Sequence, residues 1–137
     1  MTYRFGKRSA RLLSQAHPDL QRVVKKLMDY QLFDFSVICS HRSEAEQLKK
    51  YQEGKSQVKK GKHNFMPSLA VDVLPYPSKI NGVNVWQDKQ RFCVLAGAMM
   101  VAAKEEGVAI RWGGDWDGDG NNADSKFWDA PHFELQS

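Results

Sequence analysis

Apolar residues recur along this chain in two rhythms, and each change of rhythm marks an element. Over residues 18–32, Leu20, Val23, Val24, Leu27 and Met28 fall at i, i+3, i+4, i+7 and i+8, which is one buried face of an α-helix, and Pro18 suits its first position. The run Phe35–Cys39 is rich in β-formers and predicts a strand. Ser43 followed by Glu46 predicts a capping box, opening a helix over 44–53 that ends at Gly54. Polar and basic residues dominate 55–68, with Pro67, so a long loop is expected. From Leu69 to Leu74 the pattern alternates, turning Val71 and Val73 toward a core and placing Ala70 and Asp72 together on the other face, until Pro75 and Pro77 stop it.

The second half reads the same way. Asn81-Gly82 predicts a turn between short extended pieces. A long helix over 88–106 carries Phe92, Leu95, Met99 and Ala102 as its buried stripe, and Gly107 closes it. A strand over Val108–Trp112 runs into a Gly/Asp-rich loop. The last strand, Pro131–Leu135, turns Phe133 and Leu135 inward and His132 and Glu134 to the opposite face. Helices and strands mix without a regular βαβ repeat. The expected class is therefore α+β, a small antiparallel sheet with helices packed on it.

With 137 residues, 42% of them hydrophobic, the chain can form one core, and residues 1–137 are expected to be a single domain. No apolar run approaches the roughly 20 residues of a membrane span. The longest, Phe92 to Ala103, is broken by Gly97. The opening MTYRFGKRSA is basic without the apolar stretch of a secretory signal, so synthesis in a cytoplasm is expected. Cys39 and Cys93 sit among apolar residues and are expected to be buried free thiols. A net charge of +4 suits an acidic partner, whether nucleic acid, anionic cell wall or anionic lipid. The basic cluster Lys55, Lys59, Lys60 and Lys62 lacks the aromatic company of an RNA-binding motif and reads as a solvated loop.

The candidate chemistry lies in His63, Asp72 and His132. Two imidazoles and one carboxylate are zinc-type donors, and three such ligands leave a fourth position for water, as hydrolytic sites require. Asp129, three residues before His132, is the candidate base. In a regular strand these two would diverge, but Pro131 predicts a bend that could bring both to one ion. Taken singly each residue has a plainer reading: His63 as an exposed histidine of a basic loop, Asp72 as an outer strand residue, His132 as a donor to a backbone carbonyl, Asp129 as a turn former. A second motif, Asp115, Asp117, Asp119 and Asn121 with Gly120, follows the D-x-D-x-D-G opening of an EF-hand-type calcium loop. Position 12 is Lys126 where that loop needs glutamate, so a solvated acidic turn is the competing reading.

Longer segments carry a family resemblance. Gly61-Lys62-His63-Asn64, Pro67 to Val73 and Pro75-Tyr76-Pro77 resemble the first metal motif of the zinc D-alanyl-D-alanine carboxypeptidase superfamily, within it the L-alanyl-D-glutamate endopeptidases of phage endolysins. Arg111 to Trp116 and Asp129 to Leu135 are similar to the second half of that branch, and Arg42-Ser43 with Glu46-Gln47 to its arginine motif. The resemblance spans about Phe35 to Leu135. It implies a hedgehog/D-Ala-D-Ala-peptidase-like fold, zinc on His63, Asp72 and His132, Asp129 as acid/base, and Arg42 steadying a substrate carbonyl or carboxylate. Glu134, on the His132 face of its strand, could orient that ligand.

The resemblance further implies a monomeric enzyme acting on the peptidoglycan stem peptide, at the L-Ala–D-Glu bond, for lysis of the host. It would be made in the host cytoplasm without a signal peptide and act on the wall, in the periplasm, after release, with no nucleic-acid partner and no stable membrane insertion. A D-alanyl-D-alanine carboxypeptidase shares the chemistry. A non-catalytic metal-stabilised wall-binding module shares the ligands but has no need of Asp129 or Arg42.

Overall fold

The computed structural model describes residues 2–55, 61–115 and 129–136. The elements run α1 (Lys7–Leu13), α2 (Pro18–Asp29), β1 (Phe35–Cys39), α3 (Glu44–Gln52), β2 (Ala70–Pro75), β3 (Lys79–Ile80), β4 (Val83–Asn84), α4 (Lys89–Glu106), β5 (Ile110–Trp112) and β6 (His132–Leu135). Among the described residues β1, β2, β6 and β5 form one antiparallel sheet in that spatial order, and β3 and β4 form a separate hairpin. This is the expected α+β arrangement.

Local chemistry sets the boundaries. In α2 the Pro18 ring begins the helix while the His17 ring accepts the Asp19 amide, and Gln31, at φ 55°, turns the chain away. The helix stops at Asp29, three residues short of the expected end at residue 32. Ser43 and Glu46 form the reciprocal capping box of α3. Asp88 caps α4, and Gly107, at φ 69°, ends it in the left-handed conformation that costs glycine least. Asn81 and Gly82 at φ 50° and 80° give the hairpin its tight turn.

The core lies between the helices and one face of the sheet. Leu20, Val23, Val24 and Leu27 of α2 join Phe92, Leu95 and Met99 of α4 against Val71, Val73, Ile110 and Phe133. Alternation leaves Asp72, His132 and Glu134 on the other face, where the site forms. Helix α1 carries no apolar periodicity that announces it. It is held by the buried Ser9, whose hydroxyl accepts the Val37 amide at 3.1 Å, and by Leu13.

The expectation of two buried thiols needs correction. Neither cysteine forms a disulfide, but Cys39 is half-buried and Cys93 is exposed. Cys93 shares the outer side of α4 with exposed Val94, Met100 and Val101, so apolar neighbours in sequence do not mark an inward residue there. Among the described residues, no helix is long and apolar enough to cross a membrane.

Candidate metal centre

Strand pairing assembles most of the centre. In the β2–β6 register Asp72 stands opposite His132, and in the β1–β2 register a bulge after Val37 sets Cys39 opposite Asp72. His63 arrives from the 3-10 turn Lys62–Asn64. Asn64 fixes that turn: its Oδ1 accepts the Gly61 amide at 2.7 Å, and its Nδ2 donates to the carbonyls of Arg42 and Ser43 at 2.8 and 3.1 Å. The Arg42 amide in turn donates to the His63 carbonyl at 2.8 Å. His63 is therefore only 4% exposed, and the plainer reading of it as a surface histidine fails.

Three donor atoms converge. His63 Nε2 lies 3.1 Å from Asp72 Oδ1 and 3.2 Å from His132 Nδ1, and His132 Nδ1 lies 3.4 Å from Asp72 Oδ1. The remaining ring nitrogens are already committed. His63 Nδ1 is 2.6 Å from the Ser40 carbonyl, and His132 Nε2 is 2.8 Å from Glu134 Oε1. Both partners are acceptors, so those nitrogens carry the protons, and the two lone pairs face one another beside a carboxylate. Facing lone pairs repel unless a proton or a cation lies between them. A tetrahedral ion with bonds of about 2.0–2.2 Å holds its donors about 3.3–3.6 Å apart, close to the separations found. The donor set therefore fits a divalent metal.

The electrostatics agree. Burial opposes charge on His63, but the Asp72 carboxylate outweighs it and raises His63 to about 10. Burial would raise Asp72, and the His63 charge together with hydrogen bonds from both imidazoles drives it far below the usual carboxylate range instead. His132 is raised: burial pulls it down, while hydrogen bonds to Asp72 and Glu134 outweigh that. The cluster is built to hold positive charge.

Asp129 reaches the same place through the bend before β6. The His132 amide donates to the Asp129 carbonyl at 3.1 Å, and Asp129 Oδ2 lies 3.9 Å from His132 Nδ1. Burial, then the charge of Asp72, raises its pKa, which makes it a stronger proton acceptor. Gly113 backs it: the Asp129 amide donates to the Gly113 carbonyl at 2.9 Å, and a Cβ at 113 would collide with the Asp129 carbonyl. Arg42 lies beside these candidate ligands. Its Nη1 donates to Gln47 Oε1 at 2.8 Å, and its Nη2 is 3.4 Å from Cys39 Sγ and 3.6 Å from Asp72 Oδ2. Oδ1 of Asp72 is thus left for the imidazoles.

Several neighbours were not anticipated. Cys39, His63 and Asp72 bring candidate ligand atoms within 4.8 Å of one another, itself compatible with a metal. The set with His132 is tighter, and Cys39 Sγ lies 3.9 Å from His63 Nδ1, the nitrogen that Ser40 already engages. Only strand pairing, invisible in a linear sequence, brings Cys39 here. Gln47 is 2% exposed, an uncommon burial for an amide on a short polar helix, and it serves Arg42. Lys62, expected in a solvated loop, instead pairs with Glu134 at 3.3 Å. Of the calcium motif, Asp115 follows β5 in a turn, its amide donating to the Trp112 carbonyl at 3.1 Å; Asp117, Asp119 and Asn121 lie outside the described residues.

A centre of two imidazoles and a carboxylate with a free acid alongside, on a small α+β sheet, is of the class found in metal-dependent hydrolases. The comparisons narrow the class. Residues 1–136 match the sequence family described as phage L-alanyl-D-glutamate peptidase, and the chain belongs to that family. It is 32% identical over 141 residues to the L-alanyl-D-glutamate peptidase of Escherichia phage T5, covering 98% of this chain and 99% of that protein. The crystal structure of the Serratia marcescens L-Ala D-Glu endopeptidase ChiX superposes with a TM-score of 0.75 at 34% identity, over 97% of this chain and 90% of that one.

Proposed function

We propose that this chain is a zinc-dependent peptidoglycan endopeptidase that hydrolyses the L-alanyl–D-glutamate bond of the stem peptide, at the wall of a phage-infected bacterium. The observation that carries the reading is the convergence of His63 Nε2, Asp72 Oδ1 and His132 Nδ1 within 3.1–3.4 Å, each imidazole already oriented by an acceptor behind it. Family membership supplies the substrate class.

His63, Asp72 and His132 would hold the ion. When bound, zinc supplies Lewis acidity and generates a nucleophile from water at neutral pH. Asp129, whose Oδ2 lies 3.9 Å from His132 Nδ1, would accept a proton from the attacking water and return it to the departing amine. Arg42 keeps Asp72 single-ended and offers its remaining N–H donors to the carbonyl under attack. A calcium ion is proposed for the segment beginning at Asp115, on the strength of the oxygen-ligand spacing in sequence through Asp117, Asp119 and Asn121.

The test is product analysis on purified muropeptides by mass spectrometry. Cleavage should yield stem peptides with a new D-glutamate amino terminus and leave L-alanine on the muramyl side. Release of terminal D-alanine alone would identify the carboxypeptidase instead, and no cleavage with zinc bound would point to a binding module.

A further inference from the structure

The metal ligands are backed by an ion pair that the proposed chemistry does not use. Glu134 follows His132 by two residues on β6, so both side chains leave the same face of the sheet. Its neighbour on β2 is Ala70, whose methyl leaves room for a carboxylate. Glu134 is only 8% exposed, and both its oxygens are engaged. Oε1 accepts the His132 Nε2 proton at 2.8 Å, and Oε2 lies 3.3 Å from Lys62 Nζ. Lys62 immediately precedes His63, and its ammonium also donates to the Leu135 carbonyl. The backbone runs the same connection, with the Leu69 amide on the Lys62 carbonyl at 3.0 Å and the Leu135 amide on the Leu69 carbonyl at 2.9 Å.

We propose that Glu134 and Lys62 are a positioning pair for the metal centre: Glu134 fixes the tautomer and ring orientation of His132, and Lys62 holds Glu134 while clamping the His63 turn to β6. The proposal rests on the reading of His63, Asp72 and His132 as metal ligands. A purely structural ion pair would be better placed in water, because burying two charges costs more than a surface pair returns. The imidazole accounts for the burial. A ring nitrogen that donates to a carboxylate makes the opposite nitrogen a stronger metal donor and stops the ring from turning. Lys62 and Glu134 also lie next to or near ligands 69 residues apart in sequence, so one contact sets the spacing of two imidazoles.

The experiment measures zinc affinity of the full chain by competition with a chromogenic chelator, with histidine 15N shifts reporting the His132 tautomer and circular dichroism reporting the fold. In E134A zinc affinity should fall about 10–100-fold and His132 should populate both tautomers. E134Q, whose amide oxygen can still accept the Nε2 proton, should restore the single tautomer and recover most of the affinity. K62M should lose affinity by about threefold or more while keeping the tautomer. A folded E134A with wild-type zinc affinity and a single Nε2-protonated tautomer would overturn the proposal. If E134A does not fold, K62M decides, and undiminished affinity in it overturns the pairing. Wild-type protein that binds no zinc would remove the metal reading and this proposal together, whereas tight wild-type binding with indifferent variants removes only the pair.

Discussion

Replacing Asp129 by asparagine probes the chemistry while sparing the scaffold. Asparagine keeps the size of the side chain and both backbone bonds of the bend, from the His132 amide and to the Gly113 carbonyl. It removes the one property the reading requires, a carboxylate that accepts a proton. General acid–base assistance is worth typically about 10²–10⁴-fold. The Asp129 side chain is 33% exposed, so solvent can partly replace it, which places the expected loss near the middle, about 10³-fold in kcat/KM. That corresponds to about 4 kcal/mol of transition-state stabilisation at 1.36 kcal/mol per tenfold. Zinc should remain, because Asp129 Oδ2 is 3.9 Å from His132 Nδ1, farther than the three donor atoms lie from each other. The assay is muropeptide cleavage followed by chromatography and mass spectrometry, with zinc content measured on the same sample. Activity within tenfold of wild type, with zinc bound and the fold intact, would refute the role given to Asp129.

Further outcomes follow from the same geometry. Gly113→Ala should lower stability by about 1–3 kcal/mol, by forcing its methyl into the Asp129 carbonyl, and should lower activity with it; denaturant unfolding checks the first, and an unchanged midpoint would contradict the close approach. Chelated protein should be less stable at pH 10 than at pH 6: the raised His63 contributes stability fully present below 6.5 and lost as pH rises through about 10. Over the same window zinc should bind more tightly with rising pH, since the ion displaces that proton, and a pH-independent affinity would contradict the assignment of His63. Millimolar calcium should raise the melting temperature, and the absence of any shift would remove the calcium site at Asp115, Asp117, Asp119 and Asn121.

Much of the fold was legible because local chemistry and tertiary packing agree. The spacing of Leu20, Val23, Val24 and Leu27 predicts α2, and Ser43 with Glu46 predicts α3, because each signal is itself the interaction that forms the element. The bend at Pro131 predicts that Asp129 and His132 share one site, and the two side chains do meet. Helix α1 was not legible, since KRSARLL offers no stripe and its hold on β1 is a serine hydroxyl. Cys93 misled because α4 is apolar on its outer side as well. Cys39, Ser40 and Lys62 escaped as members of the site for a common reason. Each acts through a partner more than 20 residues away, and pairing register is not written in a linear pattern.

If one zinc ion on His63, Asp72 and His132 is required for cleavage, ion and activity must come and go together. Zinc stoichiometry and muropeptide cleavage are measured on one purified sample before chelation, after it and after zinc is returned. One ion per chain, joint loss of ion and cleavage, and recovery of both are expected. Undiminished cleavage by protein stripped of metal would contradict that requirement.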